Sequence, residues 1–136
     1  TYINGEAEEL LPEKKESFDV VTCLEAIEHV PDPQQLVKTC SDLCKPGGTI
    51  VFSTINRNPK SFLFAIIGAE YILNLLPKGT HEFKKFIKPS ELSNMMRNSN
   101  LEVKEIIGMS YNPFTKKYWL GKDVDVNYLI HAEKSK

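Results

Sequence analysis

Glu25, Glu28 and His29 are the residues of this 136-residue chain whose types and spacing could do chemistry together. They stand at i, i+3 and i+4, which puts three side chains on one face if the segment is helical. On one face they could converge on a cation. The carboxylates of Glu25 and Glu28 suit a hard cation that takes oxygen ligands, whereas the imidazole of His29 suits it poorly. His29 therefore also reads as a general base, a side chain that takes a proton from a reacting group. The structural alternative is that Glu28 and His29 only cap and solvate a short helix.

These residues need elements to hold them. The run from Phe18 to Cys23 reads as a buried strand, the stretch from about Pro33 to Cys44 as an amphipathic helix, and Thr49 to Ser53 as a second buried strand, entered through Lys45-Pro46-Gly47-Gly48 as a turn. Strand, helix, strand in that order implies a parallel pair with a right-handed crossover. Open α/β sheets bind ligands beyond the carboxyl ends of their strands, so Leu24 to His29 and Thr54 to Asn58 face the functional edge. Further on, Lys60 to Leu76 is a helix candidate stopped by Pro77, and Gly79 to Lys88 a lysine-rich loop. Pro89 opens a helix to about Asn98, with Glu91 in its first turn. Leu101 to Met109 and Val124 to Glu133 read as strands, with 110–122 as the connection of an antiparallel pair.

Length and 41% hydrophobic content suit one domain with a filled core. A net charge of -1, with no strongly basic half, argues against nucleic-acid binding by bulk electrostatics. Cys23, Cys40 and Cys44 are an odd number without a Cys-x-x-Cys pattern, so they read as structural thiols in a reduced compartment. The chain begins at Thr1 without Met, and Thr1 to Asn4 resembles the end of a strand; the expectation is a truncated sequence. Its seven glycines, at 5, 47, 48, 68, 79, 108 and 121, form no Gly-x-Gly. A Gly-rich turn lets backbone approach a bound nucleoside, so the second half of such a site is expected here without the first.

Phe18-Asp19-Val20-Val21, Glu28-His29-Val30-Pro31-Asp32-Pro33 and Lys45-Pro46-Gly47-Gly48 resemble the class I S-adenosylmethionine-dependent methyltransferases. A narrower set resembles the ubiquinone-biosynthesis O-methyltransferase family: Ser53-Thr54-Ile55-Asn56-Arg57-Asn58, Gly68-Ala69-Glu70-Tyr71-Ile72, Pro77-Lys78-Gly79-Thr80-His81, Phe86-Ile87-Lys88-Pro89, Tyr111-Asn112-Pro113 and Asp125-Val126-Asn127-Tyr128. The likeness runs from Tyr2 to Glu133. It implies an α/β fold with a Rossmann-like class I methyltransferase sheet, mostly parallel with an antiparallel C-terminal strand. It implies that residues 1–136 are the C-terminal part of a single methyltransferase domain, with 57–88 as a lid or membrane-facing insertion. The implied reaction moves a methyl group from S-adenosylmethionine to a hydroxyl of a polyprenylated catechol or hydroxybenzoquinol. In the family, Glu, Glu and His at positions 25, 28 and 29 are associated with Mg2+, which by bridging vicinal oxygens would lower the phenol pKa of about 10. Leu24 is implied in the cofactor pocket, and Glu6 and Ala7 in the loop beside the adenine. Core packing for Leu24 and a solvated loop carboxylate for Glu6 are the plain alternatives.

The stretch 61–76 is the most hydrophobic in the chain, yet Glu70 and Asn74 interrupt it and a membrane span needs about 20 apolar residues. Phe62, Ile66, Ala69, Leu73 and Leu76 form one stripe at helical spacing, and Leu63 and Ile67 a second. With Arg57, Lys60, Lys78, Lys84, Lys85 and Lys88 flanking it, such a helix suits docking on an anionic bilayer that holds a polyprenyl substrate. A lid buried on its own domain is the alternative. His81 could orient a phenol or a carboxylate, or simply lie on the surface; Tyr111, Asn112 and Trp119 read as packing. The expected partners are thus a polyprenylated phenol, an anionic membrane surface and other quinone-biosynthesis enzymes. The expected location is peripheral to the bacterial inner membrane on its cytoplasmic side, or the matrix side in mitochondria. A methyltransferase for another small soluble acceptor, and a non-catalytic lipid-surface module, are the competing readings.

Overall fold

The computed structural model describes residues 1–63, 83–112 and 115–136. The β-branched run inside Phe18–Leu24 forms strand β1, and a short turn leads to helix α2 at Pro33–Leu43, preceded by the brief helix α1 at Leu11–Lys14. Local chemistry starts α2: Pro33 takes the first helical position and Asp32 caps it, its Oδ1 accepting from the Gln35 N–H at 3.0 Å. The helix buries Val37, Cys40 and Leu43 and returns the chain to β2, Cys44–Ile55, which pairs with β1 in parallel. The expected βαβ unit is present, but β1, expected to be buried, is mostly exposed in this chain, Phe18 at 39% and Val20 at 58%.

Its entry differs in one respect. The register steps from Phe18 opposite Cys44 to Val20 opposite Thr49, so Lys45-Pro46-Gly47-Gly48 bulges out of β2 against Asp19 alone. The turn expected before the strand lies inside it. Gly47 has φ +75°, and a Cβ on Gly48 would stand 2.9 Å from the Asp19 carbonyl oxygen and 2.6 Å from the Cys44 sulfur. Only glycines fit there. Lys45 Nζ pairs with Asp19 Oδ1 at 2.7 Å across the bulge, and that hydrogen bond holds the Asp19 carboxyl below its ordinary value.

After the helical turn α3 (Pro59–Ser61) and helix α4 (Pro89–Arg97) come β3 (Leu101–Asn112), β4 (Lys117–Gly121) and β5 (Asn127–Lys134). The strand order is β1-β2-β5-β3-β4. One pairing is parallel and three are antiparallel, so the α/β sheet of this chain is mixed where a mostly parallel one is expected. The connections 113–116 and 122–126 are too short for the crossover of a dozen or more residues that a parallel pair needs. β4 falls in the stretch read from sequence as a connection. Of the helix expected over 60–76, the structure describes only its start.

Helices α2 and α4 cover one face of the sheet, where alternate residues Ile50, Phe52, Tyr128, Ile130 and Ala132 meet Val37, Cys40, Leu92 and Met96. Gln34 Nε2 donates to the Met95 carbonyl at 3.2 Å and ties the two helices together, and Ser41 Oγ donates to the Ser99 carbonyl just beyond α4 at 2.7 Å. Cys40 and Cys44 are buried, Cys23 half-buried, and all three are free thiols. Among the described residues no helix is long and apolar enough to cross a membrane.

Candidate active site

The carboxyl ends of β1 and β2 carry the ionisable cluster, but not on one helical face. Glu25 follows β1 with φ +51°, a left-handed conformation that breaks helical phase, and only Ile27–His29 then forms a 3-10 turn. Glu25, Glu28 and His29 therefore do not share one helical face. The Glu25 N–H donates to the Ser53 carbonyl at 3.1 Å, and Ser53 Oγ donates to Glu25 Oε1 at 2.8 Å. Asn127 Nδ2 approaches the other Glu25 oxygen at 3.5 Å. Glu28 goes elsewhere. It is 3% exposed, and its Oε2 accepts from Thr54 Oγ1 at 2.8 Å. Ser53 and Thr54 are successive strand residues whose side chains point to opposite faces, so the two glutamates anchored on them diverge.

The set Glu25, Glu28 and His29 expected to hold Mg2+ is thus not assembled. Among the described residues no group of three or more His, Cys, Asp or Glu could hold a metal ion. What does come together is a pair. Glu28 Oε1 is buried without a hydrogen-bond partner, and His29 Nε2 stands 3.9 Å from it. The His29 side chain is 50% exposed, so its ring joins this buried oxygen to solvent at the carboxyl edge. Ile27, wholly buried, pins the turn between them to the core.

Leu24 ends β1 opposite Ser53 and is 53% exposed at the same edge. It is not core packing. Glu6 is exposed and Ala7 half-buried at the start of the 3-10 turn Ala7–Leu10, which Thr39 fixes on α2 by donating to Glu8 Oε1 at 3.2 Å. Phe62 and Leu63 are exposed at 41% and 52%. Ile66, Ile67 and His81 lie outside the described residues.

Asn56, Asn58 and Tyr128, together with Arg57 and Lys60, expected to face a bilayer, hold both ends of the 57–88 insertion. Asn56 Nδ2 donates to the Val124 carbonyl at 2.9 Å, Asn58 Nδ2 to the Asp125 carbonyl at 2.7 Å, and Lys60 Nζ pairs with Asp123 at 2.7 Å and Asp125 at 3.0 Å. On the return side the Ile87 N–H donates to the Ile55 carbonyl at 3.1 Å, Tyr128 OH to the Ile87 carbonyl at 2.8 Å, and Arg57 pairs with Glu91. Burial pushes the Tyr128 phenol up, so it stays a donor. Both ends are therefore fixed at the carboxyl edge, beside Thr54 and Glu28. The asparagines at alternate positions after a buried strand were the available signal, since each can replace a missing ladder partner.

A parallel βαβ unit with an ionisable cluster at its carboxyl edge, extended by antiparallel strands, defines an open α/β fold, and residues 3–106 match the family described as methyltransferase domain. The chain belongs to that family. A solved SAM-dependent methyltransferase of Thermotoga maritima, described as a possible histamine N-methyltransferase, superposes with a TM-score of 0.68 over 96% of this chain and 62% of its own, at 20% identity. At that identity the likeness speaks for the fold alone. The ubiquinone biosynthesis O-methyltransferase of Marinobacter nauticus is 64% identical over 125 residues, which cover 92% of this chain and 52% of the relative. That of Saccharophagus degradans is 60% identical over 134 residues, 98% of this chain and 57% of the relative. The chain spans about half the length of these curated relatives.

Proposed function

We propose that this chain forms part of an O-methyltransferase of ubiquinone biosynthesis, which moves a methyl group from S-adenosylmethionine to a hydroxyl of a polyprenylated catechol or hydroxybenzoquinol. The observation that carries the reading is 64% identity to a relative of that name over 92% of the chain. When bound, S-adenosylmethionine supplies an electrophilic methyl group on its sulfonium. The half-exposed Leu24 side chain offers an apolar wall for it at the end of β1. His29 takes the phenolic proton, its half-exposed ring standing at that edge. The unpartnered Glu28 Oε1 can accept an imidazole N–H after a small rotation, fixing which ring nitrogen faces the acceptor. Positioning the resulting phenolate in line with the methyl then supplies much of the acceleration. Among the described residues no ligand set for Mg2+ is assembled. An acceptor with a polyprenyl tail resides in a bilayer, so the reaction belongs at a membrane surface.

A chimaera in which this chain replaces the matching 125 residues of the Marinobacter relative tests the reading. It should methylate a prenylated catechol, read by mass spectrometry. Methylation of untailed catechols only would favour the soluble-acceptor alternative, and a folded chimaera without turnover on either would overturn methyl transfer.

A further inference from the structure

The hairpin β3–β4 carries an exposed surface that the methyl-transfer reading does not use. Tyr118, Trp119 and Leu120 are consecutive residues of β4, exposed at 66%, 52% and 60%. Successive strand residues point to opposite faces, so a layer packed on one face of the sheet could bury Tyr118 and Leu120 but not Trp119. On one face Tyr111 and Tyr118 stack at 4.5 Å between ring centroids. Leu120 continues that strip opposite Met109. The hairpin also overhangs the sheet. β3 last pairs with β5 at Met109 opposite Asn127, whereas Tyr111 and Asn112 still pair with Tyr118 and Lys117 beyond it. Asn127 lies opposite Ile55, at the carboxyl end of β2, so the overhang is on the edge that holds Glu28 and His29.

Charge selects the occupant. Lys116 and Lys117 precede the aromatic run and Lys122 follows it, all exposed and engaged by no carboxylate among the described residues. The acids that come next, Asp123 and Asp125, are taken by Lys60. A second copy pairing along β4 would bring lysines against lysines, a common device against edge pairing. An anionic bilayer meets both needs: aromatic rings with polar tips settle at the headgroup level, and lysines gain from the surface potential. We propose that the β3–β4 hairpin is a bilayer-docking element that inserts Tyr118, Trp119 and Leu120 among anionic lipid headgroups and holds the carboxyl edge toward the membrane. This deepens the membrane-surface reading and rests on it, while needing neither cofactor nor acceptor.

Trp119 is the single tryptophan of the chain, so its emission reports this one position. With phosphatidylglycerol vesicles the emission should shift to the blue and become quenchable by brominated acyl chains, and the chain should sediment with the vesicles. Tyr118→Ser with Leu120→Ser should abolish the shift while leaving the thermal melt cooperative, since both side chains are exposed. Replacing Lys116, Lys117 and Lys122 with Gln should weaken binding about fivefold per charge, and less at high salt. Sedimentation with unshifted Trp119 emission would overturn the hairpin proposal alone, because another surface would then make the contact. Absence of both overturns the membrane-surface reading with it. A blue shift that grows with protein concentration and needs no vesicles would assign the surface to a second copy and overturn the proposal.

Discussion

Thr54 is where a single hydroxyl holds a buried side chain. Its Oγ1 is the donor to Glu28 Oε2, and the other Glu28 oxygen has no hydrogen bond. Thr54→Val therefore strips the carboxylate of this donor at nearly constant volume and should destabilise the fold by about 1–3 kcal/mol. Adding Glu28→Leu should recover much of that loss, because no buried acceptor is then stranded. Denaturant midpoints of the two variants check it, and equal stability of Thr54→Val and the parent would show that water reaches Glu28. His29 makes a different prediction. In the chimaera His29→Ala should lower turnover on the order of 10²-fold near neutral pH, and the deficit should shrink as pH approaches the phenol pKa of about 10, where the acceptor ionises unaided. A pH-independent deficit would give His29 a packing role instead.

At the scale of elements, the links after β2 and around 123–125 decide how the insertion starts. Lys60 holds the Asp123 carboxyl below its ordinary value of 3.8, helped by the Asp125 N–H. A carboxylate lowered on folding adds stability above its unfolded value, and the contribution is lost as pH falls through the lower folded one. The clamp is therefore intact at neutral pH and releases only in acid. Lys60→Ala should return the Asp123 titration toward 3.8, read by carboxyl NMR; identical curves would remove the clamp. Gly108 shows why the loop can lie where it does. A Cβ there would stand 1.7 Å from the Asp123 carbonyl oxygen, backbone against backbone. Gly108→Ala should displace the loop and cost about 1–3 kcal/mol, as overpacking does, with the lost melting temperature as the readout.

At the scale of the whole molecule, order in the sheet sets the order of stability. Among the described residues β2 and β5 are each paired on both sides, whereas β1 and β4 have one neighbour and exposed Val20, Leu24, Tyr118 and Leu120. Amide exchange should be slowest in β2 and β5, along Ile50, Phe52, Ile130 and Ala132, and fastest in β4. Protection of β4 matching that of β5 in dilute solution would mean that its free edge is covered.

Sequence alone determined the βαβ unit, the carboxyl edge on which Leu24, Glu28 and His29 sit, and the family. The first two follow from local pattern, an apolar run on each side of a helical stretch and a Pro-Gly turn, and the family from the resemblance of its motifs. It did not determine which carboxylates meet. Spacing predicts a shared face only if the backbone is helical, and the left-handed turn at Glu25 is imposed by its bonds to Ser53, 28 residues away. β4 escaped because Tyr118-Trp119-Leu120 lacks alternation, being exposed on both faces, and alternation appears only where one face is buried. The asparagine and lysine contacts with 123–125 span more than 60 positions. Contacts between such distant residues leave no period in a sequence, so only the tertiary structure could place them.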